Sequence, residues 1–313
     1  MEYGTLISIV MPVYNRAHLL DRVAGSILSQ TYRNFEFLIV DDCSSDDIEA
    51  AVAALGDDRV RLVRREKNGG VAAARNTGVE AARGEWIAFH DSDDFCTVDR
   101  LELCVRKLIE MPDDYIGVYG ARLMYNEVSE ENYVKAGVYV IPRATEPRLS
   151  GDLSTRTMIR NIINFPTFMV KKSALLAAGP SDELLRKNVD WDLCLRVTRQ
   201  GKIAFIPEPL LLTPTSQDPK VSAARVSRSV RQGARSFARI SSKLKRAGCP
   251  PKALASHYAT TARYLMRLGR YAWARRFMVA ALKLDPMQPR RWGHYAFSYM
   301  PGMHTKLRAP NKL

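Results

Sequence analysis

Three carboxylates fall within four residues at Asp91, Asp93 and Asp94, closing the stretch W-I-A-F-H-D-S-D-D at 86–94. Carboxylates this close repel one another unless a cation sits among them. Hard oxygen ligands at this spacing suit Mg²⁺ or Mn²⁺, which, held by few protein carboxylates, takes its remaining ligands from substrate phosphates and water. The competing reading is an acidic loop that caps a helix starting near Asp99. Three other groups carry chemistry of the same kind. Tyr14, in Pro12-Val13-Tyr14-Asn15-Arg16, could stack on a flat base. Asp41-Asp42 could accept hydrogen bonds from a base or ribose. Arg75, shortly after Asn68-Gly69-Gly70, could pair with phosphate or orient an acid. Taken singly, Tyr14 could instead cap the core, Asp41 a turn, and Arg75 could be a solvated helix charge.

The elements that must position these groups are legible around them. Leu6 to Met11 reads as a β-branched strand closed by Pro12. Leu19–Gln30 has the helical period, with Leu19, Leu20, Val23, Ile27 and Leu28 apolar. Phe35–Val40 is a second strand, and Ser45-Asp46-Asp47 offers an N-cap for a helix through Leu55. Val60–Val63 is a third strand, Val71–Ala82 an Ala-rich helix stopped by Gly84, and Trp86–Phe89 a fourth strand. Strand and helix alternate four times, which predicts a parallel sheet with right-handed crossovers. Ligands of such sheets sit at the carboxyl ends of the strands, where all four groups fall.

Beyond a helix at 99–110, the reading is a strand at Ile116–Tyr125 paired antiparallel with Val138–Ile141, between polar loops at 126–135 and 142–150. A strand at Phe165–Val170, a short helix at Lys172–Ala178, an amphipathic helix at Asp190–Arg199 and two closing strands, Ile203–Ile206 and Leu210–Leu212, follow. From about residue 220 only helices are expected: Ser222–Arg246, then a hairpin of Ala253–Leu268 and Tyr271–Leu284 turned at Gly269, then a short aromatic segment at Trp292–Met300. The expected division is 1–219, with halves of about 1–110 and 111–219, and 220–313.

The net charge of +14 hides an asymmetry. Residues 1–219 hold 26 Lys and Arg against 32 acids, whereas residues 220–313 hold 21 Lys and Arg against a single acid, Asp285. A basic region of this kind meets anionic surfaces. Five scattered cysteines without C-x-x-C spacing predict reduced thiols. Leu6–Met11 is too short for a signal peptide and no run reaches 18 apolar residues, so a cytoplasmic location is expected.

P-V-Y-N-R at 12–16, V-D-D-C-S-S-D at 40–46, N-G-G-V-A-A-A-R-N at 68–76 and D-S-D-D at 91–94 together resemble the family 2 inverting glycosyltransferases, whose α/β fold is called GT-A. The resemblance is close over about 6–110 and looser to about 215. It implies a nucleotide-diphospho-sugar donor, with UDP- or dTDP-sugars favoured, and a Mn²⁺ or Mg²⁺ cofactor. Carried over by position, Tyr14 with Pro12, Val13, Asn15 and Arg16 would hold the base. Asp41, with Asp42 close by, would bind the base or ribose. Gly70, Arg75, Asp91 and Ser92 would complete the donor site, with Asp93 ligating the metal beside Asp91.

Asn188-Val189-Asp190-Trp191-Asp192-Leu193 resembles the family's acidic acceptor motif, usually Glu-Asp, an aromatic, then Asp or Glu and Leu. The resemblance implies Asp190 as the general base, with Trp191 and Asp192 near the acceptor; the alternative for Asp190 is an N-cap. Val189 stands where the glutamate is usual, and Leu212–Ser216 lacks the His or Arg that many relatives place over the pyrophosphate. The implied acceptor is a polysaccharide, lipopolysaccharide or lipid-linked glycan. The basic region, with Arg225, Arg228, Arg235, Arg239 and Lys243 in a stripe and Trp292, Tyr295, Phe297 and Tyr299 at its end, fits an anionic membrane surface, peripheral to the inner face of the cell membrane. A solvated face is the plain alternative; no nucleic-acid motif accompanies the charge. A nucleotidyltransferase is disfavoured because no Gly-rich, Lys-bearing loop follows the first strand, and P-V-Y-N-R in place of G-x-G-x-x-G argues against a dinucleotide-binding dehydrogenase. A catalytically degenerate adaptor is the non-enzyme alternative.

Overall fold

The computed structural model describes residues 1–126, 139–141, 149–215 and 229–299. Most of the two loops expected at 126–135 and 142–150, Ser216, Val226, Arg225, Arg228 and the basic tail lie outside the described residues.

The first unit, Met1–Leu184 with Val189–Ser222, is built on a nine-stranded sheet. Its first half alternates as the periodicity predicts: β1 (Ile7–Val13), α1 (Ala17–Leu28), β2 (Phe35–Asp41), α2 (Ile48–Ala53), β3 (Val60–Arg64), α3 (Val71–Ala81) and β4 (Trp86–Phe89). β1 pairs in parallel with β2 and β4, and β2 with β3. These central strands are apolar on both faces because helices cover both. Ile7, Ile9 and Met11 pack with α1, while Val10 and Leu38 pack on the other side with α3. α3 approaches closely: a Cβ on Gly78 would sit 2.4 Å from Val10 Cγ1.

β1 continues through Pro12, which was expected to close it. Ile7 N–H donates toward β2, so even-numbered residues face β4. The β4 pairing stops at Val10, and the N–H that Pro12 lacks costs no ladder bond.

Beyond β4 the sheet is mixed, in the order β3-β2-β1-β4-β8-β6-β9-β5, with β7 beside β6. The elements are β5 (Phe95–Cys96), α4 (Arg100–Ile109), β6 (Tyr115–Asn126), β7 (Tyr139–Ile141), α5 (Ser154–Ile159), β8 (Met169–Lys171), α6 (Lys172–Ala178), α7 (Val189–Val197) and β9 (Lys202–Thr215). The β6–β7 antiparallel pair is as expected. Two expectations change. Phe165–Thr167 is a 3-10 turn and only Met169–Lys171 is strand, because Pro166 cannot donate to a ladder. The two closing strands are one strand, β9, which pairs in parallel with β6 through register shifts at Gly120–Arg122 that absorb Pro207 and Pro209.

The second unit, Leu185–Asn188 with Ala223–Leu313, contains α8 (Val230–Arg246), α9 (Pro251–Arg267), α10 (Tyr271–Leu284) and α11 (Pro289–Phe297). Ser229 Oγ caps α8 by accepting from Gln232 N–H. Gly269, at φ +70, turns α9 into α10. Ala255, Ala262, Ala274 and Ala281 fill the seam between them, where small side chains let the helices pack closely. Among the described residues no helix is long and apolar enough to cross a membrane. The five cysteines are free thiols, as their spacing predicts.

Candidate active site

The loops after β1 and β2 are tied together. Asn15 and Cys43 both take left-handed backbone angles, φ 53 and φ 63, an outlying conformation that clusters at functional loops. Asn15 N–H donates to Ser44 Oγ (2.9 Å), and Asn15 Oδ1 accepts from Ser45 N–H (2.8 Å). Tyr14, 49% exposed, projects from this pinned turn. Asp41 is fully buried. Its Oδ1 accepts from Ser44 N–H (2.9 Å), while Oδ2 lies 3.4 Å from Arg64 Nε and accepts no hydrogen bond. That oxygen is an unused acceptor at the end of β2.

Asp42 is spent on structure. Its two oxygens accept the N–H groups of Gly69 (2.9 Å) and Gly70 (2.6 Å) and pair with Arg65. This fixes the N-G-G turn that starts α3, with Gly70 at φ +83, an angle that favours glycine. Arg75 follows in the first turns of α3, buried. Its Nη2 donates to Asp91 Oδ1 at 2.9 Å and its guanidinium lies 4.4 Å over the Phe165 ring.

The acidic triplet divides. Asp91 meets Arg75, and Asp93 meets Arg16 at 3.2 Å, the same Arg16 that donates to Ser92 Oγ at 3.0 Å. Asp94 turns inward, is buried, and accepts from Thr213 Oγ1 (2.8 Å). Burial, with Asp91 and then Asp93 nearby, pushes its carboxyl up to about 7. Repulsion within the triplet is thus relieved partly by two arginines and partly by withdrawing one acid. Beneath it lies a buried pair that the sequence reading missed: Arg100 donates to His90 Nδ1 (2.9 Å) and to the carbonyls of Phe89 (2.7 Å) and Pro166 (2.9 Å). The signal was present, since Arg100 shares the apolar face of α4 with Cys104 and Leu108.

Among the described residues no cluster of three or more Asp, Glu, His or Cys side chains forms a cage for a metal. Asp91 and Asp93 remain partly exposed. Two hard carboxylates fit a Mg²⁺ or Mn²⁺ that shares its shell with substrate phosphates, because such ions are held by one or two carboxylates rather than by an all-protein cage.

Asp190 lies in the first turn of α7, where the helix dipole favours its charged form. Asn188 enters the helix at φ 57, and Val189 is buried where an acid was expected. Asn161 Nδ2 donates to Asp190 Oδ2 at 3.1 Å. Burial raises the Asp190 pKa, opposed chiefly by the charge of Arg75. A cleft of about 270 Å³ joins this acid to the acidic loop; it is lined by Asp91, Arg122, Asn161–Pro166 and Asp190. The structure brings neither Trp191 nor Asp192 to it. Trp191 is buried, its indole N–H donating to Thr157 O (2.7 Å), and Asp192 is buried against Arg196 (3.0 Å). Asn161, Asn164 and Arg122 were not singled out from the sequence, and nothing in their local patterns marks them.

Comparisons with known proteins bear on this geometry. A glucosyltransferase of Escherichia coli, described as UDP-Glc:alpha-D-GlcNAc-diphosphoundecaprenol beta-1,3-glucosyltransferase WfgD, is 41% identical over 105 residues, which is 34% of this chain and 42% of that protein. The match covers less than two thirds of the length of each of the next curated relatives as well, 64% and 33%. Among solved structures, S. aureus TarS 1-349 in complex with UDP-GlcNAc superposes with a TM-score of 0.70, covering 94% of this chain and 89% of that one at 16% identity. A mannosyltransferase from Pyrobaculum calidifontis in complex with GDP-Man and Mn2+ gives 0.59, covering 96% and 87% at 17% identity. Both likenesses are of fold, and the fold is GT-A-like, α/β with a helical C-terminal region. The family model "Glycosyl transferase family 2" matches residues 8–169, a span that runs from β1 to β8 and takes in the strand-end loops and the acidic triplet. With more than half of its length inside that match, this chain belongs to glycosyl transferase family 2.

Proposed function

We propose that the chain is an inverting glycosyltransferase that moves a sugar from a nucleotide-diphospho-sugar, a UDP- or dTDP-sugar by preference, to a hydroxyl of a polysaccharide, lipopolysaccharide or lipid-linked glycan. The observation that carries this reading is a cleft lined by both Asp91 and Asp190. Asp41 Oδ2 accepts from the base or ribose, Tyr14 stacks on the base, and Arg16 and Arg75 hold the acidic loop in place. Asp190 takes the proton of the acceptor hydroxyl as its oxygen bonds to the anomeric carbon. The bond from that carbon to the diphosphate oxygen breaks on the opposite face, and the nucleoside diphosphate leaves with the electron pair. A divalent cation held by Asp91 and Asp93 would stabilise the negative charge that develops on the leaving group.

Calorimetric titration with UDP and dTDP, with and without Mn²⁺, tests the donor half. Metal-dependent binding is expected in the wild type and is lost in Asp93→Ala. Failure of a folded wild-type protein to bind any nucleoside diphosphate would remove the enzyme reading and favour an adaptor.

The second unit docks the enzyme against an anionic membrane surface in this proposal, peripheral at the inner face, where lipid-linked acceptors are presented. Its support is the exposed aromatics Trp273, Trp292 and Tyr299, two of them beside arginines: Arg276 lies 4.9 Å from the Trp273 ring and Arg275 lies 4.6 Å from Tyr299. Amphipathic aromatics beside cations suit a headgroup region. Sedimentation with phosphatidylglycerol vesicles is expected, weakening as salt rises, with none for phosphatidylcholine. Equal recovery with both lipids would exclude electrostatic docking.

A further inference from the structure

We infer that Arg122, with Asn164 beside it, is the group that binds an oxyanion of the donor substrate in this cleft, an assignment that rests on the donor-site reading above. Donors outnumber acceptors on this wall of the cleft. Arg16 and Arg75 each meet a carboxylate, and Arg100 meets three acceptors. Arg122, on β6 opposite Leu211 of β9, lines the same cleft. It makes no hydrogen bond or ion pair with the described residues, and its Nε is sealed from solvent without a partner. Asn164 Nδ2, also on the cleft wall, is buried and unmatched, and so is Arg75 Nε.

Two sealed donors on the cleft wall, with a third on Arg75, which pairs with Asp91 of the same cleft, therefore have no acceptor among the described residues. A sealed guanidinium N–H without an acceptor is costly to keep, and the cost is relieved when a ligand supplies charged oxygens. The nearest acids do not do so. Asp91 is paired with Arg75 and Asp190 with Asn161, and Asp94, which feels the charge of Arg122, spends its hydrogen bond on Thr213. A neutral hydroxyl-rich ligand would answer Asn164 but would leave the guanidinium without a charged hydrogen-bond partner. The required chemistry is an oxyanion, supplied either by the diphosphate of the donor or by a carboxylate on the sugar being transferred. The planar fork of arginine suits either group in a bidentate fashion, which lysine cannot reproduce.

The test uses the full chain, with Arg122→Met, Arg122→Lys and Asn164→Ala beside the wild type, each checked by thermal melting. Uridine and UDP are titrated by calorimetry in Mn²⁺, and kcat/KM is measured with UDP-glucose and UDP-glucuronate. Loss of about tenfold or more in UDP affinity in Arg122→Met, with uridine binding unchanged, confirms the diphosphate as the source. Unchanged UDP affinity with a similar loss confined to UDP-glucuronate assigns the sugar carboxylate instead. Arg122→Lys is expected to recover only part of either loss, and Asn164→Ala to lose less than Arg122→Met. If Arg122→Met binds UDP and turns over both donors as the wild type does, the assignment is overturned while the donor site stands. A wild type that binds no nucleoside diphosphate overturns the functional reading and this assignment with it.

Discussion

Asp190→Asn is expected to lower kcat by about 10²–10⁴-fold while leaving nucleotide affinity unchanged. The amide keeps the shape of the carboxylate and an oxygen able to accept from Asn161 Nδ2, which stands 3.1 Å away in the wild type. What it loses is the capacity to take a proton from the acceptor hydroxyl. The same geometry fixes the direction of the pH dependence. Burial disfavours the charged form of Asp190 and raises its pKa, and Arg75 opposes the rise without cancelling it. The base must be deprotonated to work, so activity falls as pH drops through this raised value. The acid limb of kcat therefore lies above the usual aspartate range of about 3.9. Asn161 donates to the charged form, so Asn161→Ala moves the limb further up. Retention of kcat within tenfold in Asp190→Asn would place the base on another residue.

Legibility in the sequence tracked the range of the forces involved. β1, β2 and β4 are buried on both faces, so each is an apolar run, interrupted only by the hydrogen-bonded pair Ser8 and Glu36; the expected strand Phe35–Val40 is Phe35–Asp41 in the structure. The groups at their ends were legible for the same reason, since a polar residue directly after a buried strand has to emerge at the sheet's edge. Asp190 came from the resemblance, and its place in one cleft with Asp91 depends on α7 packing beneath the sheet, which no local pattern encodes. Roles were harder to read than places. Asp42 and Asp94 have the residue types of ligand-binding acids, yet backbone amides and Arg65 occupy the first, and burial with Thr213 occupies the second. Trp191 and Asp192 lie beside Asp190 in sequence, but a helix turns successive side chains by about 100°, which sends both into the interior. Asn161 and Arg122 lie about 30 and 70 residues from Asp190 in sequence and share its cleft only through tertiary structure.

The second large effect is on stability. Arg100→Met is expected to destabilise the first unit by about 3 kcal/mol or more, because three buried acceptors are stranded at about 1–3 kcal/mol each while methionine fills part of the volume. Arg100 is 2% exposed. A guanidinium only donates, so His90 Nδ1 must accept, which puts the ring proton on Nε2, from which it is donated to Asp94 O at 3.1 Å. Burial, reinforced by the charge of Arg100, lowers the His90 pKa to about 3, so the ring is neutral throughout the ordinary range. At about 2–4 °C per kcal/mol for a unit of this size, the melting temperature should fall by about 6–12 °C. Arg106 on the same helix provides the contrast. It is mostly exposed and pairs with Glu102 four residues back, so Arg106→Met should change stability by no more than about 0.5 kcal/mol. Equal melting of the two variants would show that the buried network holds nothing. A loss in Arg100→Met alone has a functional corollary. The carbonyls it serves belong to the last residue of β4, just before the acidic loop, and to Pro166 on the cleft wall. One buried cation thus fixes the loop that carries Asp91 and Asp93 against the wall that faces Asp190, and the folded fraction of Arg100→Met should bind UDP more weakly than Arg106→Met does.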